Sequence, residues 1–384
     1  MKTVAILTTG RQDWGILHST AVAIREHPEL ELRLLVGGTH LSARHGRTID
    51  DVQTDGFEPD VVLPWPGDDD ATLDPPASIQ AAAALDAVGA ALRETRPDAL
   101  LLVGDRLETA AAALAATIER VPIIHLHGGE QTLGAFDDAL RHAVTKLSHL
   151  HLVSHEEHAR RVVAMGEDPA SVHVVGAPGL DASTRKDLPS RADLARFLGL
   201  ALDAPIVLVT VHPTTLGREP KAEASAVVAA MNAVPATYVI TLPNSDPGGD
   251  AIRELILNAS DEPGRVLVDS LGAQRYWGLL RIADAMLGNS SSAIIEAPAV
   301  ALPAVDVGDR QAGRRAGPNV LHVPAEPRLV IDALRQALDP ATRKRLAAAR
   351  PELADGRAGR RIADIIAAWR PPRPPRKPPI AVPG

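Results

Sequence analysis

Six short stretches hold most of the reactive side chains of this 384-residue chain. They are Gly10-Arg11-Gln12-Asp13, Gly104-Asp105-Arg106-Leu107-Glu108, His127-Gly128-Gly129-Glu130, His212-Pro213, Pro243-Asn244-Ser245-Asp246 and Gly288-Asn289-Ser290-Ser291-Ser292. Gly, Arg, Asp, His and Ser together suit a phosphorylated, hydroxylated ligand. In the last stretch a Gly/Ser turn opens a helix expected to run through Ala297. Backbone N–H groups and hydroxyls at such a turn face outward, where an anion can sit. A plain N-cap would explain one serine, but not Ser290, Ser291 and Ser292 in a row. Glu296 follows, as a candidate for holding ribose hydroxyls. In Gly308-Asp309-Arg310-Gln311-Ala312-Gly313-Arg314-Arg315, Arg310 is nearest the preceding apolar run and is the candidate phosphate clamp. Arg314 and Arg315 read as a solvated loop.

Proton chemistry has its own candidates. Asp105 ends an apolar run, where a carboxylate can act as acid or base, and Arg106 beside it can grip phosphate. Glu130 and Asp137 can join Asp105 in a carboxylate cluster. Like charges held close raise one pKa and make that group useful near neutral pH. His212 follows another apolar run, as a catalytic or phosphate-binding candidate. Half of the 14 histidines fall between His125 and His158. His125 and His127, two apart on one strand, would share a face. No third ligand has convincing spacing, so no metal site is expected. No G-x-G-x-x-G fingerprint, P-loop or G-x-S-x-G elbow occurs, which leaves no call for NAD, FAD or any other cofactor.

The elements that must position these residues are short apolar runs alternating with Ala-rich amphipathic stretches. The runs are Val4–Thr8, Leu32–Val36, Ala99–Val103, Ile123–His127, Val172–Val175, Ile206–Val211, Tyr238–Leu242, Val266–Val268, Ala285–Leu287 and Ala304–Val307. Continuous apolar runs bounded by Gly, Pro or Asp read as parallel strands buried on both faces. Helical patterns lie between them at Trp14–Glu26, Ile79–Thr95, Leu107–Glu119, Asp137–Ser148 and Lys221–Asn232. The fold class is therefore α/β with parallel sheets. About nine to eleven strands are too many for one sheet and suit two Rossmann-like domains. The expected boundaries are 1–180, 181–356, a last helix at 357–369 and a disordered Pro-rich tail at 370–384, with the hinge within Gly176–Pro189. Ligands of open parallel sheets bind beyond the carboxyl ends of the strands, where all six stretches fall.

Composition narrows the function. Lys and Arg number 40 against 48 Asp and Glu, a net charge of −8, which argues against a nucleic-acid partner. The absence of cysteine excludes a disulfide scaffold, a thiolate nucleophile and a Cys-ligated zinc site. Aromatics make up only 2%, so the core must be Ala, Val, Leu and Ile. Neither a signal peptide nor a membrane-length apolar run is evident, and a cytoplasmic protein without a membrane partner is the expectation.

Taken in order, these blocks resemble the hydrolysing UDP-N-acetylglucosamine 2-epimerases, especially the branch that feeds sialic- and legionaminic-type sugars. The resemblance runs from about Val4 to Val323. It rests on the blocks at Gly10–Gly15, Gly104–Glu108, His125–His149, His212-Pro213, Pro243–Asp246, Gly288–Glu296 and Gly308–Gln311. It implies a GT-B-type pair of Rossmann-like domains, an active site in the interdomain cleft, and a homodimer. It also implies the reaction. UDP leaves C1 as the C2 proton is removed, water adds to the 2-acetamidoglucal, and N-acetylmannosamine and UDP result without NAD or a required metal. Arg11, Arg106, His212, Ser290, Ser291 and Arg310 match the positions used for the nucleotide. Asn244 adds to them from its loop, and Glu296 matches the ribose position. Asp105, Glu130 and Asp137 match the acid/base groups, with His212 assisting the leaving group. Many relatives carry Glu where this chain has His127, so the C2 base is either His127 or Glu130. Ala293 in place of Gly is a minor departure. The same chemistry on a UDP-2,4-diacetamido-6-deoxy sugar, a glycosyltransferase on this architecture, and a non-catalytic UDP-sugar sensor are the alternatives.

Overall fold

Each apolar run becomes a parallel strand, and the polar residues that stop it mark the strand's carboxyl end. The computed structural model describes residues 1–43, 47–64, 76–131, 137–203, 205–213, 221–242, 249–268, 271–312, 316–348 and 354–377. The chain divides into two units, Met1–Asp181 with Leu353–Gly384, and Ala182–Glu352.

The first unit is built on β1 (Lys2–Thr8), β2 (Leu30–Gly37), β3 (Val61–Leu63), β4 (Ala99–Val103), β5 (Ile123–Leu126), β6 (Leu150–Val153) and β7 (Val172–Val174). Their order across the sheet is β3-β2-β1-β4-β5-β6-β7, and all pairs are parallel. The second unit has β8 (Ile206–Thr210), β9 (Thr237–Thr241), β10 (Arg265–Val268), β11 (Ala285–Gly288), β12 (Ala304–Val307) and β13 (Val320–Val323), in the order β10-β9-β8-β11-β12-β13, also all parallel. These are two Rossmann-like doubly wound sheets. The described residues hold thirteen strands, more than the nine to eleven expected. The surplus is β3, β6 and β13.

In each sheet the strand order reverses once, between β1 and β4 and between β8 and β11. Crevices open at such switch points, so the loops after these four strands are where ligands are expected. The described helices cover the faces. Leu17, Ala21 and Ile24 of the helix Arg11–Glu26 share one core with Ile6, Leu101 and Leu126. The Ala-rich helix Leu107–Ile118 lets the helix Ala77–Thr95 pack close over the other face.

The last helix, Ala358–Ala368, returns to the first unit. Its Ile362, Ala363, Ile366 and Ala367 lie in the same core as Leu17 and Ile24. Asp181 holds its start, accepting from the amides of Ala358 at 3.0 Å and Gly359 at 2.7 Å. The expected disorder of the tail does not extend to residues 370–377. Arg373 pairs with Asp98, and Lys377 pairs with Glu167 while donating to the Lys146 carbonyl at 2.8 Å. Glu167 is a buried carboxylate that also holds Lys146 at 2.6 Å and His151 at 3.1 Å. The Pro-rich segment is fixed because it brings cations to acidic groups. Among the described residues no helix is long and apolar enough to cross a membrane.

Candidate active site

In the first unit the acid/base candidates cluster around Arg141, a residue that strand-end reasoning passed over. Asp105 follows β4 through Gly104, which has φ +71°. Arg141, on the helix Asp137–Leu147, pairs with Asp105, donates to the His127 carbonyl at 3.1 Å and lies 3.7 Å from Glu130. Burial pushes the Asp105 carboxyl up. Arg141 opposes this, while Asp137 and Glu130 add to it. That is the like-charge arrangement expected from the sequence.

His127 and Glu130 are a pair. Nδ1 of His127 and Oε1 of Glu130 are 2.6 Å apart. Burial works against the Glu130 charge, yet His127, Arg141 and His158 hold its carboxyl down at about 2. Ser154 donates to Glu130 at 3.0 Å, and its hydroxyl also meets His158 Nδ1 at 3.0 Å. The backbone leaves β5 abruptly, since His127 has φ +65° and Gly129 φ +75°. A side chain at Gly129 would press on the His158 carbonyl at 2.5 Å, so glycine is needed there.

The turn at His127 also corrects an expectation. His125 and His127 do not share a strand face, because β5 ends at Leu126. His125 is wholly buried, with Nε2 2.8 Å from the Gly104 carbonyl and Nδ1 3.2 Å from the Thr145 hydroxyl. Burial lowers its pKa to about 3. It therefore ties the loop after β4 to the helix behind it.

Across the switch point, Arg106 donates to Gln12 at 3.2 Å. The rest of its fork engages Glu108, at 3.2 and 3.3 Å. Arg11 stands exposed at the start of the first helix. Asp13 is buried and accepts from the Thr9 amide at 3.0 Å, which shapes the loop after β1.

In the second unit the hub is Asn289, which is wholly buried. It follows Gly288 at the end of β11. Gly288 has φ +138°, and a Cβ there would overlap the Thr210 carbonyl on β8. Asn289 accepts from the His212 amide at 2.7 Å and donates to the His212 carbonyl at 2.8 Å and to Glu223 at 2.5 Å. Its own carbonyl accepts from Arg310 at 3.2 Å and Gln311 at 2.8 Å. His212 and Arg310 are thus gathered on one residue. Ser290, Ser291 and Glu296 follow, half-buried. The helix there is shorter than expected. It spans Ser292–Ile295 and gives way to a 3-10 turn at Ala297–Val300. Pro298 fits the early stop, since it has no N–H to give the Ile294 carbonyl and so cannot continue the helix. A four-residue helix has little dipole to offer. Tyr276 donates to Ser292 and steadies the turn. Asn244, Arg314 and Arg315 lie outside the described residues.

The structure therefore gathers Asp105, His127 and Glu130 at the strand ends of the first unit, with Asp137 close by. It gathers His212, Ser290, Ser291 and Arg310 after β8, β11 and β12 of the second. Sequence reasoning missed Arg141, Ser154, Glu223 and the central role of Asn289. A buried-type spacing of Asp137-Asp138 with Arg141 on one helix was the available signal for the first.

A sequence profile described as UDP-N-acetylglucosamine 2-epimerase matches residues 22–367. The chain belongs to this family. It is an enzyme of the UDP-sugar 2-epimerases, built on the α/β fold described above. Among its relatives is the UDP-N,N'-diacetylbacillosamine 2-epimerase (hydrolyzing) of Legionella pneumophila, 33% identical over 347 residues, which are 88% of this chain and 89% of that protein. The UDP-N-acetylglucosamine 2-epimerase of Neisseria meningitidis serogroup B is 31% identical over 338 residues, 88% of each. The crystal structure of a UDP-GlcNAc 2-epimerase from Neisseria meningitidis bound to UDP-GlcNAc has a TM-score of 0.74. It covers 96% of this chain and 100% of its own, at 17% identity, and so speaks for the fold.

Proposed function

We propose that this epimerase is hydrolysing and converts UDP-N-acetylglucosamine and water to N-acetylmannosamine and UDP. The observation that carries the reading is the set Asp105, His127, Glu130 and Arg141 at the strand ends of the first unit. The reaction needs groups that take and return a proton at C2, and each such group is worth about 10²–10⁴-fold in rate. It also needs positive charge and N–H dipoles where negative charge grows on the departing diphosphate. Arg310, His212, Ser290 and Ser291 supply that chemistry, with Arg11 and Arg106 adding charge and Glu296 taking the ribose.

In this reading the C2–H bond breaks as the C1–oxygen bond to UDP breaks. The C–H electron pair becomes the C1–C2 double bond, and UDP leaves with the other pair. Water then adds its oxygen to C1, and C2 receives a proton on the opposite face. The protein's own groups carry every proton. No cofactor enters the reading, and a homodimer is the assembly it carries.

A second reading keeps the chemistry and changes the sugar to a UDP-2,4-diacetamido-2,4,6-trideoxy sugar. The Legionella relative's name supports it. Proton NMR of both sugar nucleotides with the protein in deuterated water separates these. The first reading expects free N-acetylmannosamine with deuterium at C2. Turnover of only the diacetamido sugar selects the second, and release of sugar that keeps its C2 proton overturns both.

A further inference from the structure

Two features of His127 are left without a structural reason. Its Nε2 is buried and has no hydrogen-bond partner among the described residues. Its backbone sits at φ +65°, a conformation that is strained for a non-glycine residue and persists where the surroundings enforce it. A buried polar atom without a partner adds the cost of lost hydration. Both costs are met for a ring whose other edge is held firmly.

We propose that His127 removes the C2 proton through Nε2, and that Glu130, Ser154 and Arg141 are positioning residues that set its tautomer and aim. This rests on the epimerase reading above and assigns the base that reading leaves open. The carboxylate of Glu130 has no proton to give, so the short contact to Nδ1 places the ring proton on Nδ1. The lone pair of the neutral ring then lies on Nε2. Glu130 is itself occupied. Its Oε1 meets His127 and the Ser154 hydroxyl, and its Oε2 faces Arg141. Arg141 also holds the His127 carbonyl, so one guanidinium fixes both ends of the pair. A base oriented by a half-buried carboxylate is the logic of histidine–carboxylate catalysis. In the step itself the C2–H bond breaks and an Nε2–H bond forms. The electron pair enters the C1–C2 double bond, UDP leaves with the C1–oxygen pair, and Glu130 stabilises the imidazolium.

The charged and titratable groups around the pair are Asp105 after β4, His125 on β5, Asp137 and Arg141 on one helix and His158 on the next. All of them remain in a Glu130→Gln variant, which removes one negative charge beside the ring. The imidazolium is then less favoured, and the acid limb of the kcat/KM profile moves to lower pH.

The test uses the full chain with whichever sugar nucleotide the wild type turns over. His127→Asn suits the left-handed backbone and cannot carry a proton. It is expected to lose C2 deuterium exchange by about 10³-fold or more while still binding UDP. Glu130→Gln is expected to lower kcat by about 10–10²-fold, leave KM near its original value and shift the acid limb downward. Ser154→Ala acts in the same direction and more weakly. Loss of exchange in Glu130→Gln as complete as in His127→Asn, or an unmoved acid limb in its residual activity, would overturn the assignment. So would near-normal exchange in His127→Asn. A wild type that turns over neither sugar nucleotide refutes the epimerase reading instead.

Discussion

Asn289 and His212 hold each other by two reciprocal bonds. The His212 amide donates to the Asn289 side chain at 2.7 Å, and that side chain donates back to the His212 carbonyl at 2.8 Å. The pair bridges the switch point of the second sheet, between β8 and β11. With Glu223, Arg310 and Gln311 on the same residue, the loop carrying the phosphate candidates has a single keystone. Asn289→Ala leaves several buried groups unpaired. It is expected to cost about 2–4 kcal/mol in urea unfolding and to weaken UDP binding about tenfold or more in calorimetry.

In the proposed reaction Asp105 serves the chemistry and not nucleotide binding. Asp105→Asn keeps shape and removes charge beside Arg141. Turnover is expected to fall by about 10²-fold or more, with UDP affinity within about twofold of the wild type. An enzyme assay together with UDP titration checks both halves.

Gly288 allows β11 to turn against β8. Gly288→Ala forces a Cβ into the Thr210 carbonyl at a φ that alanine rarely adopts. A loss of about 3 kcal/mol or more is expected, seen as a lower unfolding midpoint at unchanged slope.

Acid weakens this protein in a defined window. His40 and His125 are both wholly buried, and burial lowers them from 6.5 to about 4 and about 3. The unfolded chain therefore binds protons at these sites below about pH 6.5, while the folded chain does not. Folding is favoured above that pH, and the advantage is lost as pH falls toward 4. Each group contributes a slope of up to about 1.4 kcal/mol per pH unit. Urea midpoints measured at pH 7, 6 and 5 should fall in that order. A midpoint that holds level across the series would contradict the neutral assignment of both histidines.

Much of this was legible in the sequence for one physical reason. Strands buried on both faces are continuous apolar runs, and the residue that ends each run is the one at the sheet's carboxyl edge. Asp105, Arg106, His212 and Asn289 were found that way. What was missed depends on contacts between distant elements. Arg141 and Ser154 reach Asp105 and Glu130 only through the register of β4, β5 and β6, which spacing does not reveal. The shared face expected of His125 and His127 failed for a local reason, because alternation stops where the backbone turns left-handed. The tail at 370–377 read as disordered because its composition hides the two carboxylates, Asp98 and Glu167, that its cations find.

The helix Ala358–Ala368 seals a core whose other members were made before the whole second unit. During synthesis the groove over Leu17, Ala21 and Ile24 stays open until Ile362 and Ile366 leave the ribosome. At ordinary elongation speeds that delay is on the order of ten to forty seconds. The nascent first sheet must spend it with an oily flank uncovered, and a chain released before Ile362 can aggregate but cannot close this core.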